Sequence, residues 1–258
     1  MIQRTTLNNG IRVLSEKVPG CHSVSLGVWV NNGSRHEPAE ISGISHFVEH
    51  MLFKGTDRRS AQAIAREVDS VGGLLNGFTS REYSCYFVKI LAEKLPMAVD
   101  LLGDLICNSK FDLDDIEKER RVILQEIAMI EDSPEESIHD QFTSSFWTGH
   151  SLGRPVIGTP EIVGDIDRQQ MLDFMGQRYV GQNICVVAAG NLDHEELVAL
   201  VEQSLKSVPE KGVEQELTVP VVSRRIKVVN RDLEQTHICL GVEGLPQNHE
   251  DRYGTYLL

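Results

Sequence analysis

Five cysteines are too few and too irregularly spaced for sulfur to hold this 258-residue chain together. Cys21, Cys85, Cys107, Cys185 and Cys239 are odd in number and contain no C-x-x-C pair, which argues against a disulfide framework and against a zinc site built on thiolates. They read as reduced, mostly buried thiols of a cytoplasmic protein. Long apolar runs are missing too. Hydrophobic residues make up 41% of the chain, yet no stretch is long enough to span a membrane, so no membrane partner is expected. The first residues, Met1 to Thr6, read as neither a signal peptide nor a transit peptide. Positive charge is also short: 25 Lys and Arg stand against 38 Asp and Glu, a net −13. That argues against the basic face that nonspecific nucleic-acid binding requires, so no nucleic-acid partner is expected. No low-complexity tract is visible.

What the chain does have is His46-Phe47-Val48-Glu49-His50, with Glu126 further along. On a helix, imidazoles at i and i+4 stack on one face, roughly 6 Å apart along the axis at ~1.5 Å per residue. So placed, they can share one Zn²⁺, with a third ligand leaving the fourth position for water. Glu49 precedes the second His by one residue and can reach that water without ligating the metal. Metal to lower the water's pKa and carboxylate to take its proton are what a hydrolase needs. A buried core histidine would account for one of these residues and not for three. Around them, Ile44, Phe47, Val48, Met51 and Leu52 are apolar, so the helix should be largely buried. Ser42 or Ser45 can cap its start and Gly55 can end it.

A second helical pattern, residues 112–131, supplies carboxylates. Its early acids suit a helix N-terminus, and Ser133-Pro134 should stop it. Ile116, Ile123, Ile127 and Ile130 form an apolar stripe. Glu119 and Glu126 lie two turns apart beside that stripe, whereas Glu117 and Glu131 read as solvated charge.

Elsewhere the pattern predicts an α+β fold. Residues 10–16, 24–30 and 82–90 alternate as strands, and 183–189 is a continuous apolar run that suits a central strand. A helix is expected from Pro96 through Ile106, and another over 195–208 capped by Asp193 with Glu196. The polar segment 209–219 reads as a linker. Residues 224–230 and 236–242 read as two more strands, and a helix should begin near Asn248, with Tyr253, Tyr256 and Leu257 marking its face. His22, His36, His139, His150, His194, His237 and His249 have no partner at ligand spacing and are expected to be surface or structural.

The run Ser45 to Thr56 (Ser-His-Phe-Val-Glu-His-Met-Leu-Phe-Lys-Gly-Thr) resembles the pitrilysin/insulinase family of zinc peptidases, in particular the mitochondrial processing peptidase branch and its bacterial relatives. The resemblance continues through residues 72–82, 119–126, 150–159 and 235–238, in order along nearly the whole chain. It implies one Zn²⁺ per chain held by His46, His50 and Glu126, Glu49 as general base, and Glu119 as an acid that orients a ligating His. It implies a substrate-binding strand at Asn76, Gly77, Phe78 and Thr79, which would take an extended or unfolded peptide as an extra strand. Gly77 departs from relatives, which often carry Ala, and should loosen the strand slightly. The resemblance further implies a mostly antiparallel sheet packed against helices, repeated in two similar halves that close like a clamshell. Residues 1–219 would be one half and 220–258 the truncated beginning of the second. Relatives pair as homodimers or heterodimers, and the net negative charge would suit a chamber that attracts basic peptides. Two functions stay open: an active zinc endopeptidase, or a non-catalytic structural or substrate-presenting subunit.

Overall fold

In β3 (Ser23–Val30), Val24, Leu26, Val28 and Val30 are buried while Ser25 is exposed. A strand with that alternation packs one face on a core. A computed structural model, which describes residues 1–255 and 257, carries this strand inside a six-stranded sheet. The other strands are β1 (Ile2–Thr6), β2 (Arg12–Lys17), β4 (Leu74–Thr79), β5 (Ser84–Leu91) and β6 (Ile184–Gly190). Their order is β1-β2-β6-β3-β5-β4, with every pairing antiparallel except β2 with β6. The apolar run near 183–189 is therefore a central strand, as expected, and β4 is an edge.

Helices cover the buried face: α1 (Ile44–Leu52) packs on β4, α3 (Leu95–Asn108) on β3 and β5, and α8 (His194–Ser204) on β2. Between them in sequence lie α2 (Ala61–Asp69), α4 (Leu113–Asp132), α5 (Pro134–Phe146), α6 (Pro160–Asp165) and α7 (Arg168–Arg178). The fold is α+β, as the pattern predicts. In α4, Ile116, Ile123 and Ile127 are buried, and Glu117 and Glu131 are exposed. Ser133 ends α4 and at once caps α5 through a bond from Glu136 N. Pro134 thus stops one helix and opens the next, because the first helical position needs no N–H. Asp193 caps α8 by accepting from the N–H groups of Glu195 and Glu196, and α8 ends at Ser204, short of Val208.

The start of α1 differs from expectation. Neither Ser42 nor Ser45 caps it. Gly43 occupies the N-cap position at φ 99°, and the carboxylate of Glu37 does the capping. Glu37 Oε2 accepts from Gly43 N and Oε1 from Ser45 N, both at 2.8 Å. A carboxylate there satisfies two unpaired donors and meets the positive end of the helix dipole. It comes from six residues upstream, outside the range of local capping patterns. A Cβ on Gly43 would lie 2.7 Å from the carbonyl oxygen of Ile157, so the 150–159 loop seats directly on this turn.

Beyond α8 the two expected strands are absent: residues 224–230 and 236–242 carry no regular structure. Ile226, Ile238, Leu240 and Val242 are each at least 84% exposed. Alternation makes a strand only where a neighbour completes the hydrogen-bond ladder, and no strand of the described sheet adjoins these segments. The helix expected from Asn248 is the single turn α9 (Arg252–Thr255), with Tyr253 exposed. Tyr256 lies outside the described residues. All five cysteines are free, and only Cys85 is fully buried; the other four are half-buried.

Candidate metal centre

α1 and α4 cross so that His46, His50 and Glu126 face one another. Among the described residues they are the one group whose ligand atoms all converge, within 4.8 Å of one another. The His46 and His50 rings sit 4.6 Å apart between centroids. Glu126 Oε2 lies 3.9 Å from His46 Nε2 and 3.6 Å from His50 Nε2. Two ligand atoms on a tetrahedral zinc at bonds of about 2.1 Å stand about 3.4 Å apart, and both approaches of Glu126 are close to that spacing.

Protonation supports the same reading. Burial, reinforced by the neighbouring His50, lowers the pKa of His46 to about 4, so its imidazole is neutral near pH 7. His50 Nδ1 donates to Glu119 Oε2 at 3.1 Å, which leaves Nε2 with its lone pair toward Glu126. On the His50 side an acceptor nitrogen thus faces the Glu126 carboxylate, with Nε2 3.6 Å from Oε2. A cation resolves that arrangement, and a set of two nitrogens and one oxygen suits zinc. His46 Nδ1 is buried with no partner among the described residues.

Glu49 lies between the two histidines in sequence but outside the converging group. Its pKa is raised, chiefly by burial, and the negative charge of Glu126 adds to the rise. A hydrogen bond from Thr79 and the charge of His50 work in the other direction. Glu49 Oε2 is buried without a partner among the described residues. A half-buried carboxylate with a raised pKa and a free oxygen beside a metal position is suited to accept a proton.

Glu119 is buried and serves both sides of its carboxylate. Oε2 meets His50, and Oε1 meets Lys54 Nζ at 2.6 Å. Neither Lys54 nor Glu37 was singled out in the sequence. Lys54 could have been found from its i+4 spacing to His50; Glu37 carries no such local signal.

The edge strand β4 brings Asn76 to Thr79 alongside α1. A Cβ on Gly77 would meet the Phe53 and Tyr86 rings at 3.1 Å, so this residue faces the helix side. β4 pairs with β5 along its whole length, Gly77 included. Thr79 shares the helix side, with its hydroxyl 3.3 Å from that of Ser84. Asn76 and Phe78 take the opposite face. Phe78 stands edge-on to Trp29 at 5.7 Å, and Asn76 Oδ1 accepts from Gly77 N at 2.8 Å. A cleft of about 510 Å³ lined by Asp57, Cys107, Lys110, Phe111 and Arg168 contains none of the converging residues.

The family described as Insulinase (Peptidase family M16) matches residues 12–160, and the Peptidase M16 inactive domain matches residues 165–258. An uncharacterized zinc protease of Mycobacterium tuberculosis is 43% identical over 99% of this chain and 60% of its own length. The mitochondrial-processing peptidase subunit beta of Dictyostelium discoideum is 37% identical over 96% of this chain and 54% of its own. A protease from Helicobacter pylori shares the fold with a TM-score of 0.79 at 24% identity, over 86% of this chain and 54% of that one. The chain spans about 60% of the length of the curated relatives it matches. With its family model matched over more than half its residues, the chain belongs to the insulinase family, peptidase family M16.

Proposed function

We propose that the protein is a zinc-dependent endopeptidase that hydrolyses peptides or unfolded, presequence-like segments, with Glu49 as the general base. The observation that carries this reading is the convergence of His46, His50 and Glu126 beside the half-buried Glu49, whose Oε2 has no partner among the described residues. His46, His50 and Glu126 would hold one Zn²⁺, which when bound acts as a Lewis acid toward the scissile carbonyl and lowers the pKa of the attacking water. Glu49 takes the proton from that water and returns it to the leaving amine. Glu119 keeps His50 oriented. The free edge of β4 offers unpaired backbone groups, and an extended peptide added there would lie along α1. Folded proteins do not present such a strand, so the substrate class is short or unfolded. We assign residues 1–219 to the zinc-binding half and 220–258 to the opening of a second, similar half. Assembly as a homodimer or heterodimer is part of the same proposal.

Glu49→Gln in the whole protein is the test. It keeps the shape and hydrogen-bonding capacity of the side chain and removes its basicity. Stoichiometric zinc should be retained while the rate on a basic peptide falls by about 10²–10⁴-fold. Near-normal turnover would refute the assignment of Glu49 as general base, whereas no turnover by the unsubstituted, zinc-loaded protein would favour a non-catalytic structural or substrate-presenting subunit. Loss of zinc would make Glu49 a ligand.

A further inference from the structure

We propose that Lys54 is a positioning residue of the metal centre, acting through Glu119 to hold His50 Nε2 ready for the metal. This rests on the zinc reading above. Lys54 lies just past the end of α1, beyond the C-cap Phe53. Its Nζ is 2.6 Å from Glu119 Oε1, and Glu119 Oε2 is 3.1 Å from His50 Nδ1. One carboxylate from α4 therefore bridges His50 on α1 and Lys54, four residues on and just past the helix end. The Glu119 side chain is 9% exposed, and a carboxylate that deep needs compensation beyond one neutral imidazole. Lys54 supplies a full positive charge and takes up one oxygen, so the other is aimed at the Nδ1–H of His50. With the proton fixed on Nδ1, the lone pair of Nε2 points to Glu126.

The other histidine provides an internal contrast. His46 Nδ1 has no partner among the described residues, so nothing comparable fixes its tautomer. The anchoring of the site falls on His50, and Lys54 is the outer end of that anchor.

Simple charge proximity has the opposite sign. A lysine near a dication repels it, so if Lys54 acted only through space, its removal would tighten zinc binding. If it served only to tie α1 to α4, its removal would lower stability and leave the zinc affinity of the folded protein alone. The three roles are therefore separable.

The experiment measures zinc dissociation constants of the intact protein by competition with a chromophoric chelator, together with melting of the metal-free forms and the visible spectrum of the Co²⁺ form. Lys54→Met should weaken zinc about 10-fold, the low end of the range for residues behind a ligand. Lys54→Arg should restore affinity and the Co²⁺ spectrum. Glu119→Gln should weaken zinc at least as much, and adding Lys54→Met to it should change little further. Unchanged or tighter zinc binding in Lys54→Met, or an undiminished effect in the Glu119→Gln background, would overturn the proposal. A lower melting temperature at unchanged affinity would mark the contact as purely structural and overturn it as well. Failure of the zinc reading would look different: the unsubstituted protein would hold no zinc, or His50→Ala would retain it.

Discussion

Removing the Glu37 carboxylate should loosen the helix that carries both histidines. Glu37 is buried, and its two oxygens accept from Gly43 N and Ser45 N at 2.8 Å each. Glu37→Ala leaves two buried backbone donors with no acceptor, and each costs about 1–3 kcal/mol. The carboxylate's own burial offsets part of this, since desolvation raises its pKa against the pull of those same N–H groups. A net loss of about 2–3 kcal/mol is therefore expected, at or above the upper end for a single lost cap because two donors are left unpaired. In a domain of this size each kcal/mol shifts Tm by about 2–4 °C, so the melting temperature of the metal-free protein should fall by about 5–10 °C. Glu37→Gln should fall less, because its amide oxygen still accepts one N–H. Circular dichroism on the metal-free proteins reads both values. A Glu37→Ala protein that melts within 2 °C of the parent, by a rough bound from that same scaling, would refute the view that this remote carboxylate holds the start of α1.

The metal-free protein should lose stability in acid through His46. Its folded pKa of about 4 lies below the ordinary 6.5, so the unfolded chain binds the extra proton. The stability at stake is intact above pH 6.5 and is lost as pH falls from there through about 4. His46→Gln should flatten that slope, and an unchanged slope in urea titrations across this range would count against a buried neutral His46. At the edge strand, Asn76→Ala in the Glu49→Gln protein should weaken an extended peptide by about 1–3 kcal/mol. Tighter binding would mean that the Asn76 amide, which now covers Gly77 N, blocks the edge rather than holding the peptide.

The spacing of His46, Glu49 and His50 was legible because it is local: helical geometry alone puts the two imidazoles one turn apart. Glu119 and Glu126 were legible as a pair for the same reason, and the alternation in residues 24–30 gave one of the strands. That α4 crosses α1 at the level of His50 is a matter of packing. The resemblance implied the third ligand, and the 3.6 Å approach of Glu126 to His50 came only with the fold. Strand alternation read equally well at 24–30 and at 224–230 and 236–242, yet only the first has neighbours to complete its ladder. Local capping patterns reach only a turn from the helix start, whereas the cap of α1 arrives from Glu37 through a loop. The sequence by itself determined which side chains share a face of each element, because one element's backbone periodicity decides that. The tertiary structure decided which faces meet, because crossing helices, a free edge at β4 and the Lys54–Glu119–His50 chain depend on contacts between residues distant in the chain.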